Sequence, residues 1–397
     1  MHQFVHVVSA GLALLGLIWG GECRPARAEE FRLTEVDPAA VGMSARRLAV
    51  IDDIVQEGLR DKKLPGAVVL IGYRGRIVYR RAFGQRQLEP TAEPMTLDTV
   101  FDLASLTKPI ATATSVMQLV ETGKIGLDDP VAKHLPAFGN RGKEAITIRH
   151  LLTHQGGLIA DNSMKDYADG REKAVERLMT LESLAAPGER MIYSDVGFMV
   201  LGELVATVSG QPLDEYTSTH IFQPLGMRET MYSPTSIPAD RFAPTEQRDG
   251  HWMRGEVHDP RAFALGRVAG HAGLFSTADD LARYAQAMLN GGQLGEVRIL
   301  QPETVARMTS PQPIPGGGLR GLGWDKRSGY SINRGDLLSP SACGHGGFTG
   351  TALWFDPEQK LFVIFLSNRV HPKGDGNVNP LIGRISTVAA AAIWEFE

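Results

Sequence analysis

The sequence predicts an α+β fold in which one antiparallel sheet is built from both ends of the chain and flanked by terminal helices, with a mostly helical region inserted. Segments rich in Val, Ile and Tyr occur near both ends, and the stretch between them alternates short helical patterns with loops marked by Pro and Gly. Strands do not alternate regularly with helices, so a parallel sheet of βαβ units is not predicted.

The first predicted elements are a helix and a hairpin. In residues 44–59 the apolar side chains recur at helical spacing, and Ser44 is a plausible N-cap. Residues 67–73 and 76–83 are typical of strands, and Arg74-Gly75 between them is a natural hairpin turn. We therefore expect an antiparallel pair of strands directly after the first helix.

The remaining elements place helices in the middle of the chain and strands near its end. Helices are predicted over residues 104–122, 198–208, 278–289 and 381–394, and strands over residues 100–103, 351–355 and 362–367. The sheet part is expected to span about 44–103 and 290–397, and the helical part about 104–289. No repeat or low-complexity linker separates the parts, so they are expected to share an interface, where ligand clefts commonly form.

Length and composition exclude several classes of protein. The 397 residues are 43% hydrophobic and 22% charged, which excludes a collagen-like, coiled-coil or wholly disordered protein. The formal net charge is −4 and no stripe is rich in Lys or Arg, so nucleic acid is not an expected partner. The sequence leaves the oligomeric state open.

Residues 1–28 are predicted to be a signal peptide. An apolar run over residues 7–21 is followed by Ala26 and Ala28, the small residues of an A-x-A cleavage site, which leaves a mature chain of residues 29–397. We expect an exported protein, periplasmic or secreted. No stable membrane insertion is expected after cleavage, because the run is shorter than the ~20 residues that span a bilayer. The leading segment carries neither Lys nor Arg, which leaves an uncleaved anchor or a misassigned start codon as alternatives.

No cofactor or metal ion is expected. Cys343 is the one cysteine that remains after cleavage, so it forms no internal disulfide, and we interpret it as a small apolar strand residue. The sequence contains neither C-x-x-C nor H-E-x-x-H. His258, beside Asp259, and His271 do not follow the spacing of helical metal ligands, so they are expected to order loops.

The segment Ser105-Leu106-Thr107-Lys108 is the first candidate for catalysis. It lies where a predicted strand gives way to a helix, and residues three apart share a helix face, so Lys108 should lie against the Ser105 hydroxyl. A base activates serine as a nucleophile, and lysine can be that base if its pKa is depressed. The backbone N–H of Ser105 is also available to a developing oxyanion. On its own, the motif fits an N-cap serine with a surface lysine at least as well.

Two later motifs add candidate groups. A Y-x-D motif leads into a predicted helix, and a phenol near an ammonium can serve as a base or an acid. A G-H-G-G motif precedes the strand over 351–355, and its glycines let a substrate approach the backbone closely. Taken alone, each motif also fits a packed aromatic residue or a tight turn. The two motifs contain Tyr193, Asp195, His345, Gly346 and Gly347.

Taken in order, the S-x-x-K, Y-x-D and H-G-G motifs resemble the signature of the serine β-lactamase and penicillin-binding-protein superfamily, in its class C-like branch. Residues 148–158 and 270–281 are similar to two further segments of that family, and the resemblance covers most of residues 46–395. That branch also contains D,D-peptidases and family VIII esterases. Within the superfamily, residues 257–259, 270–273 and 368–372 most resemble periplasmic penicillin-binding-like hydrolases and N-acetylmuramyl-L-alanine amidases. The resemblance implies a β-lactamase/transpeptidase-like fold and acyl transfer to serine without a cofactor.

The resemblance also implies a role for each candidate residue. Ser105 would be the acylated nucleophile, Lys108 its activating partner and Tyr193 the second proton-transfer group. The backbone N–H groups of Ser105 and Phe348 would form the oxyanion hole. The substrate-binding residues would be Asp195, His345, Gly346 and Gly347.

Two departures from the family pattern shape the functional hypothesis. Asp195 stands where many members carry asparagine, and His345 stands where β-lactamases and D,D-peptidases usually carry lysine. The leading hypothesis is an exported serine hydrolase that acts on cell-wall peptide amides or carboxylic esters, with a small-molecule or muropeptide substrate. The alternatives are a catalytically silent peptidoglycan-binding or regulatory homologue, and a β-lactamase.

Overall fold

The computed structural model describes residues 1–2 and 33–393. The chain divides into two units, Met1–Phe31 and Arg32–Glu397, and every element below belongs to the second. Apart from its first two residues, the predicted signal peptide lies outside the described residues, and its cleavage stays a prediction.

The described chain is organised around a nine-stranded antiparallel sheet. The strand Gly66–Tyr73 is hydrogen-bonded to Arg76–Gln87 on one side and to Leu361–Ser367 on the other, so both ends of the chain meet inside the sheet. This arrangement confirms the predicted fold class. In spatial order, the strands are Gln312–Pro313, Leu319–Arg320, Asp325–Arg327, Cys343–Gly347, Thr351–Asp356, Leu361–Ser367, Gly66–Tyr73, Arg76–Gln87 and Glu93–Pro94.

The first hairpin forms at the predicted turn. Arg74 and Gly75 have φ angles of 48° and 78°. Two consecutive positive φ angles match a two-residue type I′ turn, which twists in the same sense as the strands it joins. The hairpin therefore sets the register of the sheet from local sequence.

Both faces of the sheet are covered. Along the strand Gly66–Tyr73 every residue is buried, and alternate side chains enter different cores. Val68 and Leu70 belong to the core shared with the helical part, whereas Val69 and Ile71 belong to a second core beneath the terminal helices. Because both faces of the strand are buried, its sequence is a continuous apolar run and does not alternate between apolar and polar residues.

Three helices pack directly on the sheet. Val50–Arg60 and Asn379–Ala391 contact each other and cover one face, as predicted. Ala278–Leu289 has the bounds that the sequence predicts, but it packs on the opposite face, against Gly66–Tyr73 and Leu361–Ser367. Its buried side chains face the strands, so it belongs with the sheet and not with the helical part to which the sequence assigned it.

Four short strands at one edge of the sheet are absent from the sequence prediction. They are Gln312–Pro313, Leu319–Arg320, Asp325–Arg327 and Cys343–Gly347. They contain two to five residues each and are rich in charged residues and glycine, so no periodic apolar pattern marks them.

The helical part contains most of the remaining elements. A small sheet of Phe101–Asp102, Leu274–Ser276 and Met231–Tyr232 lies within it, and Gln293–Leu294 with Val297–Arg298 and Gln247–Arg248 with His251–Trp252 form two-stranded hairpins.

Among the described residues, no single helix is long and apolar enough to cross a bilayer. The segments Asp195–Ser209 and Leu213–Phe222 reach that length and composition only when they are counted together, and a 76° bend separates them.

The α-helices are Ala45–Leu48, Val50–Arg60, Thr114–Glu121, Val131–His134, Ile148–Leu152, Arg171–Thr180, Asp195–Ser209, Leu213–Thr217, Pro260–Ala264, Ala278–Leu289, Pro302–Thr309 and Asn379–Ala391. Shorter 3₁₀ helices are Pro38–Val41, Ala104–Leu106, Pro136–Phe138, Met164–Tyr167, Ala239–Arg241 and Ser331–Asn333, and the π-helical segments are Lys108–Ala113 and Ser218–Phe222.

Candidate active site

Ser105 lies at a sharp turn between a short strand and a helical run. Phe101–Asp102 ends just before it, and Ala104 has a φ of 47°, which is unusual for a residue with a side chain. The Asp102 carboxylate accepts a hydrogen bond from the Ala104 backbone N–H at 2.8 Å and stabilises this turn. The sequence analysis did not select Asp102. A carboxylate within a predicted apolar strand is the feature of the sequence that could have identified it.

The helical run after Ser105 differs from the single helix predicted over 104–122. It begins as the 3₁₀ helix Ala104–Leu106, continues as the π-helix Lys108–Ala113 and becomes α-helical only at Thr114–Glu121. Pro109 lacks the backbone N–H that a regular helix uses, and π-helical turns often mark functional sites. The predicted proximity is nevertheless present, because Lys108 Nζ lies 3.0 Å from Ser105 Oγ.

The Lys108 side chain is completely buried, and its ammonium contacts three acceptors. Nζ lies 3.0 Å from Ser105 Oγ, 3.1 Å from the His271 carbonyl oxygen and 2.6 Å from Asp195 Oδ1. The first two contacts are hydrogen bonds, and the third is an ion pair between opposite charges. The sequence assigned Asp195 to substrate binding, whereas in the structure its carboxylate is held by Lys108.

The charge state of Lys108 follows from these contacts. Burial lowers the pKa of Lys108, but the Asp195 carboxylate and Tyr193 raise it, and the net direction is upward. The depressed pKa that the sequence argument required is therefore absent while Asp195 is ionised. The resting lysine is an ammonium that polarises Ser105 and has no free lone pair.

Tyr193 lies beside the same two groups. Desolvation raises the pKa of Tyr193 more than the Lys108 cation lowers it, so the phenol is protonated in the resting site. The sequence argument expected the opposite direction, because it did not include desolvation. The Lys108 ammonium also lies 5.0 Å from the centre of the Tyr193 ring. Tyr193 can therefore donate a proton, and it can accept one only after losing its own.

Two neutral histidines flank Tyr193. His345 Nδ1 donates to the Gly346 carbonyl oxygen at 2.8 Å, which leaves Nε2 as an acceptor 3.5 Å from the Tyr193 hydroxyl. The ring of His154, a residue that the sequence analysis did not select, stacks on Tyr193 with ring centres 4.4 Å apart. Burial, followed by the Arg320 and Lys108 cations, holds the pKa of both histidines well below the usual range.

The predicted oxyanion-hole segment is tied to the strand that precedes Ser105. Thr349 Oγ1 donates to the Asp102 carbonyl oxygen at 2.7 Å, and Thr351 Oγ1 donates to the Leu103 carbonyl oxygen at 3.0 Å. Phe348 lies on the same short loop, so its backbone lies near that of Ser105. The role of the two N–H groups stays a prediction, and the loop geometry is compatible with it.

Arg369 and His258 also contact the Phe348 loop. Arg369 Nε donates to the Phe348 carbonyl oxygen at 2.8 Å, and its guanidinium lies 4.5 Å from the centre of the Phe348 ring. The His258 ring also stacks on Phe348, with ring centres 5.5 Å apart. His258 itself is fixed by Glu246, 2.6 Å from its Nε2. This histidine orders a loop, as the sequence predicts.

We expect Gly347→Ala to impair both folding and activity. A Cβ atom at this position would overlap the carbonyl oxygen of Leu103 and the hydroxyl of Thr351, and the former is backbone that cannot move without displacing Ser105. Overpacking of this kind costs about 1–3 kcal/mol. Thermal unfolding should show a lower melting temperature, and kcat/KM for an ester should fall at least about tenfold.

Gly329→Ala is the matched control for this substitution. Nothing lies within 4 Å of a Cβ atom at Gly329. It should therefore leave both measurements close to the wild-type values. Wild-type behaviour of Gly347→Ala would mean that the Phe348 loop does not need its close approach to the strand before Ser105.

One group of potential metal ligands adjoins the site. This group consists of Asp195, Asp259 and His271, whose potential ligand atoms lie within 4.8 Å of one another. The sequence analysis did not identify it as a group. Contacts already link these residues: Lys108 Nζ lies 2.6 Å from Asp195 Oδ1, and His271 Nε2 lies 2.9 Å from Asp259 Oδ1. The Lys108 ammonium places a positive charge in this group, which opposes the binding of a second cation.

Cys343 behaves as the sequence predicts. It is fully buried at the start of the strand Cys343–Gly347. Burial raises the pKa of its thiol to about 11, so the reactive thiolate is scarce at neutral pH.

A cavity of about 440 Å³ adjoins the Ser105 site. Tyr193 and His345 lie on its wall together with Arg320 and Arg369, which the sequence analysis did not select. Arg320 precedes an ordinary G-L-G-W segment and carries no local signal of function. Three asparagines from two further segments give the cavity a polar lining suited to peptide groups: Asn333, Asn377 and Asn379.

The fold and the site define a class of protein. The family model for Beta-lactamase matches residues 51–385, and the chain belongs to this family. The chain is accordingly a serine hydrolase with a beta-lactamase fold, and the family resemblance of the sequence motifs is confirmed.

The chain is also similar to curated proteins from Escherichia coli. One relative from Escherichia coli O157:H7 and one from Escherichia coli K12, each provisionally named a D-alanyl-D-alanine carboxypeptidase, are 35% identical over 388 and 386 residues. Each alignment covers 88% of this chain and 88% of the relative.

Several solved structures share the fold of this chain. The hydrolase EstCE1, described as having promiscuous acyltransferase activity, is 26% identical with a TM-score of 0.70, covering 87% of this chain and 99% of that one. An octameric penicillin-binding protein homologue from Pyrococcus abyssi is 26% identical with a TM-score of 0.67, covering 87% and 76%. A class C beta-lactamase, 19% identical with a TM-score of 0.72 over 89% and 98% of the chains, shares the fold.

Proposed function

We propose that the protein is an exported serine hydrolase that removes a D-amino acid from cell-wall peptides through an acyl-enzyme on Ser105. The observation that carries the proposal is the contact of the buried Lys108 ammonium with Ser105 Oγ, next to Tyr193. The names of the Escherichia coli relatives support a peptide substrate ending in D-alanine. Export rests on the A-x-A pattern at Ala26 and Ala28.

Acylation requires one proton to leave the pair formed by Lys108 and Tyr193. The pair can then take the Ser105 proton while Oγ bonds to the carbonyl carbon of the substrate. The negative charge that develops on the carbonyl oxygen is stabilised by backbone N–H groups of Ser105 and Phe348. Because the two groups interact, the proton that leaves belongs to the pair and not to either residue alone.

Release of the leaving amine requires a proton, and the proton that the pair took from Ser105 is available for this step. Tyr193, which lines the cavity, donates the proton to the amine nitrogen as the C–N bond breaks. A water molecule then attacks the ester carbonyl, and its proton passes to the Lys108–Tyr193 pair. The pair returns this proton to Ser105 Oγ as the ester C–O bond breaks, which releases the peptide acid and regenerates the serine.

The other two hypotheses have less support. A β-lactamase would be served by a cation at position 345, where this chain has a neutral histidine. A catalytically silent binder does not need the contacts between Ser105, Lys108 and Tyr193. We therefore expect slow or absent hydrolysis of a chromogenic cephalosporin.

Release of D-alanine from N-acetyl-D-alanyl-D-alanine by the purified chain of residues 29–397 tests the proposal, with Ser105→Ala as the control. Serine-dependent release is the expected result. Serine-dependent turnover of p-nitrophenyl acetate without release of D-alanine would favour a carboxylesterase. N-terminal sequencing of the exported protein should begin at Glu29.

The pH dependence of the reaction tests the role of Asp195. Its carboxylate raises the pKa of Lys108, so Asp195→Asn should let the Lys108–Tyr193 pair lose a proton at lower pH. The rising limb of kcat/KM against pH should therefore move toward lower pH by about one unit or more. Asp128→Asn, on an exposed carboxylate, should leave the limb in place. A limb that stays unmoved or shifts to higher pH in Asp195→Asn would contradict this role.

A further inference from the structure

Asp102 is a buried aspartate whose carboxylate connects two segments of the candidate site. Its Oδ1 accepts a hydrogen bond from the Ala104 backbone N–H at 2.8 Å, and its Oδ2 accepts one from the His258 backbone N–H at 2.7 Å. A buried carboxylate is costly unless its oxygens are hydrogen-bonded, and here both oxygens have main-chain donors. Asp102 therefore fixes the positions of two stretches of backbone that are far apart in the sequence.

The two contacts lead to the two halves of the predicted oxyanion hole. Ala104 directly precedes Ser105, and its φ of 47° is a conformation that residues with a side chain rarely adopt, so the Oδ1 contact holds a strained turn. The His258 ring stacks on Phe348, with ring centres 5.5 Å apart. The Oδ2 contact therefore fixes the backbone of the residue that packs on Phe348.

The main chain of Asp102 makes a second link to the Phe348 loop. The Asp102 carbonyl oxygen accepts a hydrogen bond at 2.7 Å from the hydroxyl of Thr349, the residue that follows Phe348. Asp102 thus contacts the turn before Ser105 through one oxygen and the Phe348 loop by two routes. An oxyanion hole is effective only when both of its donors point at the position that the oxygen occupies in the transition state.

We propose that Asp102 is a positioning residue that holds the Ser105 and Phe348 backbone N–H groups at the spacing that a tetrahedral oxyanion requires. The inference rests on the proposed function, because it concerns acyl transfer to Ser105 through these two N–H groups. Such a residue acts mainly on the transition state, since the oxyanion carries a charge that the carbonyl oxygen of the bound substrate does not. Loss of its contacts should therefore slow acylation and weaken the binding of a transition-state analogue together.

Asp102→Asn tests the proposal with little change in side-chain volume. An amide has one acceptor oxygen and turns its NH₂ group toward the second backbone N–H, so one of the two contacts is lost. The acylation rate constant at saturating p-nitrophenyl acetate, measured by stopped flow, should fall at least about tenfold. Phenylboronic acid bonds reversibly to a serine oxygen and forms a tetrahedral adduct, and its inhibition constant should rise at least about tenfold.

Asp356→Asn is the matched control. Asp356 is also buried, and its carboxylate accepts hydrogen bonds from the backbone N–H groups of Ser339 and Glu358. It ends the strand that Thr351 begins, so it lies away from the site. This variant should have a lower melting temperature and yet keep both constants within about twofold of the wild-type values, because distant sites act independently. A defect that only reduces the folded fraction would leave the inhibition constant unchanged.

The outcomes separate this inference from the proposed function. Changes of both constants in Asp102→Asn support the positioning role. If either constant keeps its wild-type value, the inference is overturned, while serine-dependent turnover keeps the proposed hydrolase. If the wild-type chain shows no serine-dependent turnover, the proposed function fails, and calorimetry with phenylboronic acid then tests Asp102. Binding at least about tenfold tighter to the wild type than to Asp102→Asn supports the role. Equal or absent binding overturns it.

A second pair of variants guards against a folding defect in Asp102→Asn. If that variant does not fold, Thr349→Val takes its place, because valine keeps the shape of threonine and removes the hydroxyl that contacts the Asp102 carbonyl oxygen. Thr349→Ser keeps this hydroxyl and should resemble the wild type. An inhibition constant for phenylboronic acid at least about threefold higher in Thr349→Val than in Thr349→Ser supports the inference. Equal constants overturn it.

Discussion

Replacing Ser105 by alanine should abolish turnover of p-nitrophenyl acetate, with a loss of at least about 1,000-fold in kcat. The substitution removes the oxygen that forms the acyl bond, and neither Lys108 nor Tyr193 can replace it. The wild-type chain should also release p-nitrophenolate in an early burst that matches the enzyme concentration, because a covalent intermediate accumulates. The burst should be absent in Ser105→Ala.

A serine-directed phosphonate provides a second measurement on the same pair of proteins. Intact mass should rise by one adduct in the wild type and stay unchanged in Ser105→Ala. Ser236→Ala, in an exposed loop, should react and turn over like the wild type. Equal activity of Ser105→Ala and the wild type would remove Ser105 from the mechanism and leave the hydrolysis to another residue.

Lys108→Ala is the second substitution with a large expected effect. It removes the ammonium that contacts Ser105 Oγ, so kcat should fall by about 1,000-fold, comparable to the loss of the nucleophile, since the two residues act as a unit. Stopped-flow kinetics with the ester should show slow acylation and no burst. Near-normal turnover would mean that Lys108 takes no part in proton transfer.

Stability has to be measured alongside this variant. Lys108→Ala leaves Asp195 without its ion-pair partner at 2.6 Å, which destabilises the buried site. The double variant Lys108→Met with Asp195→Asn removes both charges and should recover much of the melting temperature without recovering activity. Lys133→Met, on an exposed lysine, is the control and should resemble the wild type in both respects.

Local features of the sequence predicted much of the fold. The hairpin at Arg74-Gly75, the helix Ala278–Leu289 and the strands Thr351–Asp356 and Leu361–Ser367 follow from periodicity and turn residues within short windows. The four short strands that include Leu319–Arg320 could not be predicted in this way. Their residues form no periodic pattern, and their place in the sheet depends on pairing with neighbouring strands.

In the candidate site, too, some features could be predicted from local sequence and others could not. The contact between Ser105 and Lys108 was predictable because a helical turn alone brings residues three apart together. The direction of the shift in the Lys108 pKa was not predictable. It depends on the Asp195 carboxylate, and only the packing of two distant segments brings Asp195 Oδ1 to 2.6 Å from Lys108 Nζ.

The sequence by itself determined the class of fold, the family and the motifs that carry the candidate catalytic groups, since these depend on residues close together in the chain or on the order of short segments. Only the tertiary structure decided that Asp195 pairs with Lys108, that His345 is neutral and that the buried Arg320 pairs with Asp325 beside the cavity. The physical reason is that desolvation and charge pairing depend on which distant side chains surround a group, and local sequence does not contain that information.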